Sequence, residues 1–140
     1  MRKMFKKSIY IALILVVMFS LNGCYKMREK KYYTDTNNYI TEEAIVDNII
    51  YNEERGHIVF WLSEIDDSYQ CSEFIIEGEI LPILLENKIL DKIKIGDKII
   101  YTSAPRYFGN GDFMPIIQLW VNGEEILNFE DGYENLLNLY

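Results

Sequence analysis

The sequence predicts a small, mainly β domain with one covering helix. Short runs rich in β-branched and aromatic residues alternate with turn signals, as in a compact β domain. The periodicity becomes helical only once before the last strands, at residues 79–91. Asn122-Gly123 is the strongest short signal for a two-residue type I′ hairpin. The chain has 140 residues, which is enough for one domain of ordinary size.

The first half of this domain is predicted to be a meander of three strands. Two turn signals, NEERG at 52–56 and DDS at 66–68, separate runs with high β propensity. The strands are placed at 42–51, 57–65 and 69–78.

A helix follows the third strand, because apolar residues recur at spacings of four. These residues are Leu81, Leu85 and Ile89. Proline is tolerated only in the first turn of a helix, so Pro82 places the helix start at 79–81.

The second half of the domain is predicted to contain three further strands and a short terminal helix. The strands are placed at 98–104, 114–121 and 124–129, and a Gly/Asn-rich loop at 106–113 separates the first two. In the terminal helix we expect three side chains to pack on the domain, those of Leu136, Leu137 and Tyr140.

The order of these elements over 42–121 resembles an OB-fold, a five-stranded barrel with a helix between its third and fourth strands. Other small β-barrels and α+β sheets have the same order. The resemblance implies a ligand face that is bordered by the loops at 52–56 and 105–113.

The first 24 residues carry a second resemblance. Four basic residues precede an apolar run at 9–21, which is shorter than the roughly 20 residues of a membrane-spanning helix. The sequence Leu21-Asn22-Gly23-Cys24 at the end of this run is similar to the lipobox of bacterial lipoproteins. This resemblance implies cleavage before Cys24 and attachment of diacylglycerol to its thiol. An ordinary signal peptide and an uncleaved anchor are the alternatives.

The lipobox resemblance divides the chain into three parts. Residues 1–23 are expected to be a lipoprotein signal peptide, 24–38 a polar tether and 39–140 a single β-rich domain. Two acyl chains are sufficient for stable anchoring. We therefore expect the domain to lie on the extracytoplasmic face of the cell membrane, held there by the lipid on Cys24.

Charge is distributed unevenly along the expected mature chain. Residues 24–31 hold four basic residues and one acidic residue, whereas residues 32–140 hold 6 basic and 21 acidic residues, a net charge of −15. A domain this acidic repels nucleic acid, so we exclude a nucleic-acid partner. The same field favours a basic protein partner.

Residues capable of catalysis are few. His57 is the single histidine, and we expect it to be solvated because it follows a turn. Cys71 is expected to be a small buried residue, since acidic neighbours disfavour a thiolate. The acidic clusters at 64–67 and 130–134 lack the spacing of a known calcium loop. The sequence thus predicts no enzyme activity, no metal and no cofactor.

Aromatic residues in the loop at 106–113 are the candidate ligand contacts. Exposed loop aromatics are typical of binding sites. The candidates are Tyr107, Phe108 and Phe113, together with the neighbouring Asp112. The alternative is that Phe108 and Phe113 close the end of the barrel. Trp61 and Trp120 lie in mid-strand and are expected in the core rather than at a ligand.

These observations predict a membrane-anchored binding module for an envelope protein or a wall glycan. Two alternatives are a structural or immunity lipoprotein that acts on a membrane neighbour, and an enzyme that depends on Cys71.

Overall fold

The computed structural model describes residues 2–67, 69, 71–105 and 113–140, and the side chains among them from residue 9 onward except those of 19–22 and 25. The elements follow in the order α1 (Arg2–Thr34), a 3-10 turn (Thr36–Asn38), β1 (Ile40–Asn52), β2 (His57–Ser63), β3 (Glu73–Glu77), α2 (Ile80–Glu86), α3 (Ile89–Lys92), β4 (Lys98–Ser103), β5 (Met114–Val121), β6 (Glu124–Leu127) and α4 (Phe129–Asn138).

Five of these strands close into a barrel. The hydrogen-bonded order is β3-β2-β1-β4-β5, and β3 returns to β5 in parallel, with Phe74 opposite Met114. Every other pairing in the barrel is antiparallel. The prediction of a small OB-like barrel is thereby confirmed, with β6 added as an extra strand on the outer side of β5.

The long strand β1 makes closure possible because it serves two neighbours. Its first half, 40–45, pairs with β4, and its second half, 45–52, pairs with β2. An irregularity between Val46 and Asn48, within the half that pairs with β2, bends the strand. Ala44 and Val46 are buried on the inner side of this bend.

The barrel interior is filled by large apolar side chains from all five strands and from the helices that cover one end. Among the fully buried ones are Ile58, Phe60, Leu62, Phe74, Ile76, Ile99, Tyr101, Met114 and Leu119, with Leu84 and Ile89 from the helices. This apolar core is what holds the sheet closed.

The turn between β5 and β6 has the predicted geometry. Both of its central residues have positive φ, 51° at Asn122 and 82° at Gly123, as a type I′ turn requires.

The helices differ from the prediction in number and length. The helix predicted at 79–91 is divided into α2 and α3 by Lys88, whose φ of 58° is left-handed. Asn128 then ends β6 early, because its side chain accepts a hydrogen bond from the Asp131 N–H and caps α4. The terminal helix itself is confirmed, with Leu136 buried.

The end of the segment 24–38, which the sequence predicts to be a polar tether, is helical and packs on the domain. Helix α1 continues through it to Thr34, and the Tyr33 side chain is 2% exposed. Tyr33 stacks on Tyr140 with ring centroids 5.4 Å apart, and the Tyr133 hydroxyl donates to the Thr34 carbonyl at 2.7 Å. Contacts of tyrosine side chains thus hold the end of α1 against α4 and the C-terminal residue.

Over the residues that the structure describes, no helix combines the length and the hydropathy that crossing a membrane requires.

Candidate functional site

The ligand face of an OB-fold lies on strands β2 and β3, between two loops. In this chain the β1–β2 turn at 53–56 is exposed. Three of the predicted contacts, Tyr107, Phe108 and Asp112, lie outside the described residues. Phe113 is described and can be placed.

Phe113 lies against the start of β2. Its side chain is half-buried, and its ring centroid is 5.7 Å from that of His57. His57 is only 7% exposed, so the prediction of a solvated histidine is wrong. His57 and Phe113 are far apart in the sequence. The turn residues next to Gly56, on which the prediction was based, therefore could not indicate this contact.

The two tryptophans lie outside the buried core. Both are half-buried. The Trp61 indole Nε1–H donates to the Glu73 carboxylate at 2.7 Å across the β2–β3 ladder, and Trp120 lies opposite Glu125 of β6. The expectation that both tryptophans lie in the core is therefore wrong.

The strand register separates Cys71 from His57. His57 pairs with Glu77 at one end of the β2–β3 ladder, whereas Trp61 pairs with Glu73 at the other. These two pairs are roughly 14 Å apart along the ladder, and Cys71 lies two residues beyond the Glu73 end. A direct Cys–His pair does not form here. Cys71 is half-buried against the core, and its thiol donates to the Glu73 carbonyl at 3.3 Å.

The acidic cluster at 64–67 meets β1. The Asp66 N–H donates to Glu42 Oε2 at 3.1 Å. Burial raises the pKa of Glu42 above its usual range; this hydrogen bond lowers it in part, and the nearby Asp66 charge raises it further. In the described part of the chain, no three histidine, cysteine or carboxylate side chains come together as metal ligands would.

A groove between α2 and α4 is a candidate surface site. It has a volume of about 270 Å³. The lining side chains come from the start of α2 and one side of α4: Glu79, Ile80, Ile83, Asp131, Glu134, Asn135 and Asn138. Apolar and acidic side chains therefore share one concave surface.

The groove is held together by Asn135. Its side-chain amide donates to the Glu77 carbonyl at 2.8 Å, and its oxygen accepts from the Ile80 N–H at 3.1 Å. One residue of α4 thus fixes the junction between β3 and α2. Gly78 makes room for it, because a Cβ there would lie 2.6 Å from Asn135 Oδ1.

Sequence reasoning did not find this groove, because α2 and α4 are about 50 residues apart in the chain. It considered the acidic cluster at 130–134 only as a possible calcium loop, whose spacing it lacks. One signal was present in the sequence. No lysine or arginine occurs in 56–87 or in 107–140, the two stretches that supply the groove.

No family model, curated protein or solved structure matches this chain. Function is therefore inferred from the barrel topology, the charge and the groove geometry.

Proposed function

We propose that this protein is a membrane-anchored, extracytoplasmic lipoprotein whose OB-like barrel binds a basic protein of the cell envelope. The observation that carries the proposal is the charge of residues 32–140, which is −15 in a folded domain with a concave acidic surface. Such a field steers cationic partners toward the surface and raises their rate of association.

The proposed anchor is the thiol of Cys24. Cys24 is exposed on α1 and is the last residue of the lipobox-like sequence. The large apolar side chains between Ile9 and Met18 are all at least 49% exposed. An exposed apolar run of this length suits insertion into a membrane before processing.

The anchor is tested by growing cells with an alkyne-labelled fatty acid. Label on the wild-type chain that is lost in Cys24→Ser and kept in Cys71→Ser supports lipidation at Cys24. Equal labelling of all three chains, or labelling of none, contradicts it.

In this proposal the anchor lies close to the barrel. Glu29 is 7% exposed and is the first buried side chain after Cys24 among those that the structure describes. Five residues of helix rise about 7.5 Å, which is within one Debye length at physiological salt. An anionic membrane would therefore repel the acidic barrel. The basic side chains of 26–31 offset that repulsion.

The partner is tested by capture with the full chain in nonionic detergent. Truncation before residue 32 would remove Glu29, so the whole of α1 is kept. We expect a protein of high isoelectric point to be captured from solubilised envelope at low salt and released at high salt. Capture of purified wall glycan instead, insensitive to salt, would replace the basic partner with a sugar ligand.

A partner within the membrane is the second candidate, because the docked end of α1 shortens the reach of the barrel. In that case Cys24→Ser abolishes the cellular role. A soluble partner would still be bound by the released protein with unchanged affinity.

A further inference from the structure

We infer that the groove between α2 and α4 is the docking site for a cationic protein segment that presents an aliphatic side chain beside its lysines or arginines. This inference rests on the proposed basic partner and names the surface that binds it.

The groove has an accessible apolar lining. Ile83 is 52% exposed, and Ile80 beside it is half-buried. An isoleucine this exposed gains stabilisation when an aliphatic side chain covers it. A ligand with charged groups alone would leave the Ile83 side chain exposed to water.

The rim of the groove carries charge of one sign. Glu79 lies on the α2 side, and Asp131 and Glu134 lie on the α4 side. In the part of the chain that the structure describes, the lysine ion pairs lie elsewhere, between Lys92 and Glu124 and between Lys98 and Glu43. The rim therefore complements a cationic segment.

The size of the groove favours protein side chains over a small molecule. Pockets for drug-sized ligands usually measure about 300–1,000 Å³, and this groove of about 270 Å³ lies below that range. It has room for one or two side chains. Both walls are fixed by the hydrogen bonds of Asn135, so little ordering is needed on binding.

The test uses the full chain in nonionic detergent and a fluorescent peptide of alternating lysine and leucine. We expect the double variant Glu79→Gln/Glu134→Gln to weaken binding about tenfold. The control Glu53→Gln/Glu54→Gln removes the same charge from the exposed β1–β2 turn. It should change the dissociation constant by less than about twofold, since exposed distant charges are screened.

Equal losses in both double variants would show that only the overall charge attracts the peptide. They would overturn the groove while leaving a basic partner in place. Absence of peptide binding to the wild-type chain would also overturn it, whatever the envelope capture shows. Thermal unfolding of each variant reports whether the fold is kept.

The apolar part of the inference has its own variant. Ile83→Ser should weaken the lysine–leucine peptide several-fold and leave an alternating lysine–glycine peptide unaffected. An equal effect on both peptides, or on neither, would contradict an aliphatic contact in the groove.

Discussion

Gly132 of α4 lies directly on the backbone of Ile117 in β5, so closely that a Cβ at position 132 would be 1.9 Å from the Ile117 carbonyl oxygen. The obstacle is backbone, which no rotamer change can move away. Helix α4 therefore lies where it does because residue 132 has no side chain. The groove that α4 forms with α2 depends on this contact.

Gly132→Ala should push α4 away from the sheet. The gain in helix propensity offsets part of the strain, and we expect a net loss of about 2 kcal/mol in the free energy of unfolding. Urea unfolding measures it. Asn138→Ala, an exposed change in the same helix, should stay within about 0.5 kcal/mol of wild type. Equal stability of the two variants would contradict the close approach.

Asn135→Ala should open the groove by removing both hydrogen bonds to the β3–α2 junction. Two partly buried hydrogen bonds together are worth about 1–3 kcal/mol. Asn135→Asp keeps the acceptor for the Ile80 N–H but places a carboxylate oxygen against the Glu77 carbonyl. We expect it to be no more stable than the alanine variant. If Asn135→Asp unfolds in urea with the same free energy as the wild-type protein, the Asn135 side-chain N–H does not bond the Glu77 carbonyl in solution.

Tyr33→Ala should detach the end of α1. Truncation of a large buried aromatic side chain costs about 3 kcal/mol or more, and Tyr33 is 2% exposed against Tyr140. Hydrogen exchange should show protected amides at 29–34 in the wild-type chain and rapid exchange there in the variant. Rapid exchange in both chains would mean that this segment is the tether that its sequence predicts.

Glu42→Gln should stabilise the protein at neutral pH. Burial raises the pKa of Glu42, and the Asp66 charge adds to this, so the native state binds this proton more readily than the unfolded chain does. The contribution of Glu42 to the free energy of unfolding of the wild-type protein therefore rises as the pH falls through its raised pKa. The advantage of the variant should be present at about pH 7 and vanish near pH 4.

The control for this change is Glu43→Gln, the next residue along β1. Glu43 forms an ion pair with Lys98, so its loss should not stabilise the protein. Urea unfolding of both variants across this pH range gives the comparison. A Glu42→Gln advantage that persists or grows at low pH would contradict the raised pKa.

The barrel could be predicted from sequence because its elements are locally encoded. The run HIVFWLS becomes β2, and Asn122-Gly123 turns β5 into β6 as expected. The single helical stretch after β3 then limits the possible topologies to a few, of which the OB-like barrel was one.

Other features depend on contacts between distant residues. Tyr33 is buried by Tyr140, more than one hundred positions away, and a polar sequence around it predicts a tether. Lys88 divides the predicted helix through its own left-handed φ, with no glycine or proline to mark the break. Strand β3 begins at Glu73 rather than at residue 69, while Tyr69 packs its ring on Phe74.

The candidate site likewise has one property that the sequence encodes locally and one that depends on distant contacts. The acidic charge of the groove could be read from the sequence. Its concave shape arises only when α4 packs on β5 and Asn135 bonds to the start of α2. Glu79 and Glu134 are brought together by that packing, and no local pattern joins them.

The central claim is tested most directly by photo-crosslinking in the native membrane. A photoreactive amino acid is introduced at Ile83 in the groove or at Ile50 on β1, which are similarly exposed at 52% and 47%. We predict an adduct from Ile83 alone, mapped by mass spectrometry to a lysine- or arginine-rich segment and lost in Glu79→Gln/Glu134→Gln. Equal adducts from both positions, or an Ile83 adduct that survives removal of the two carboxylates, would contradict the account.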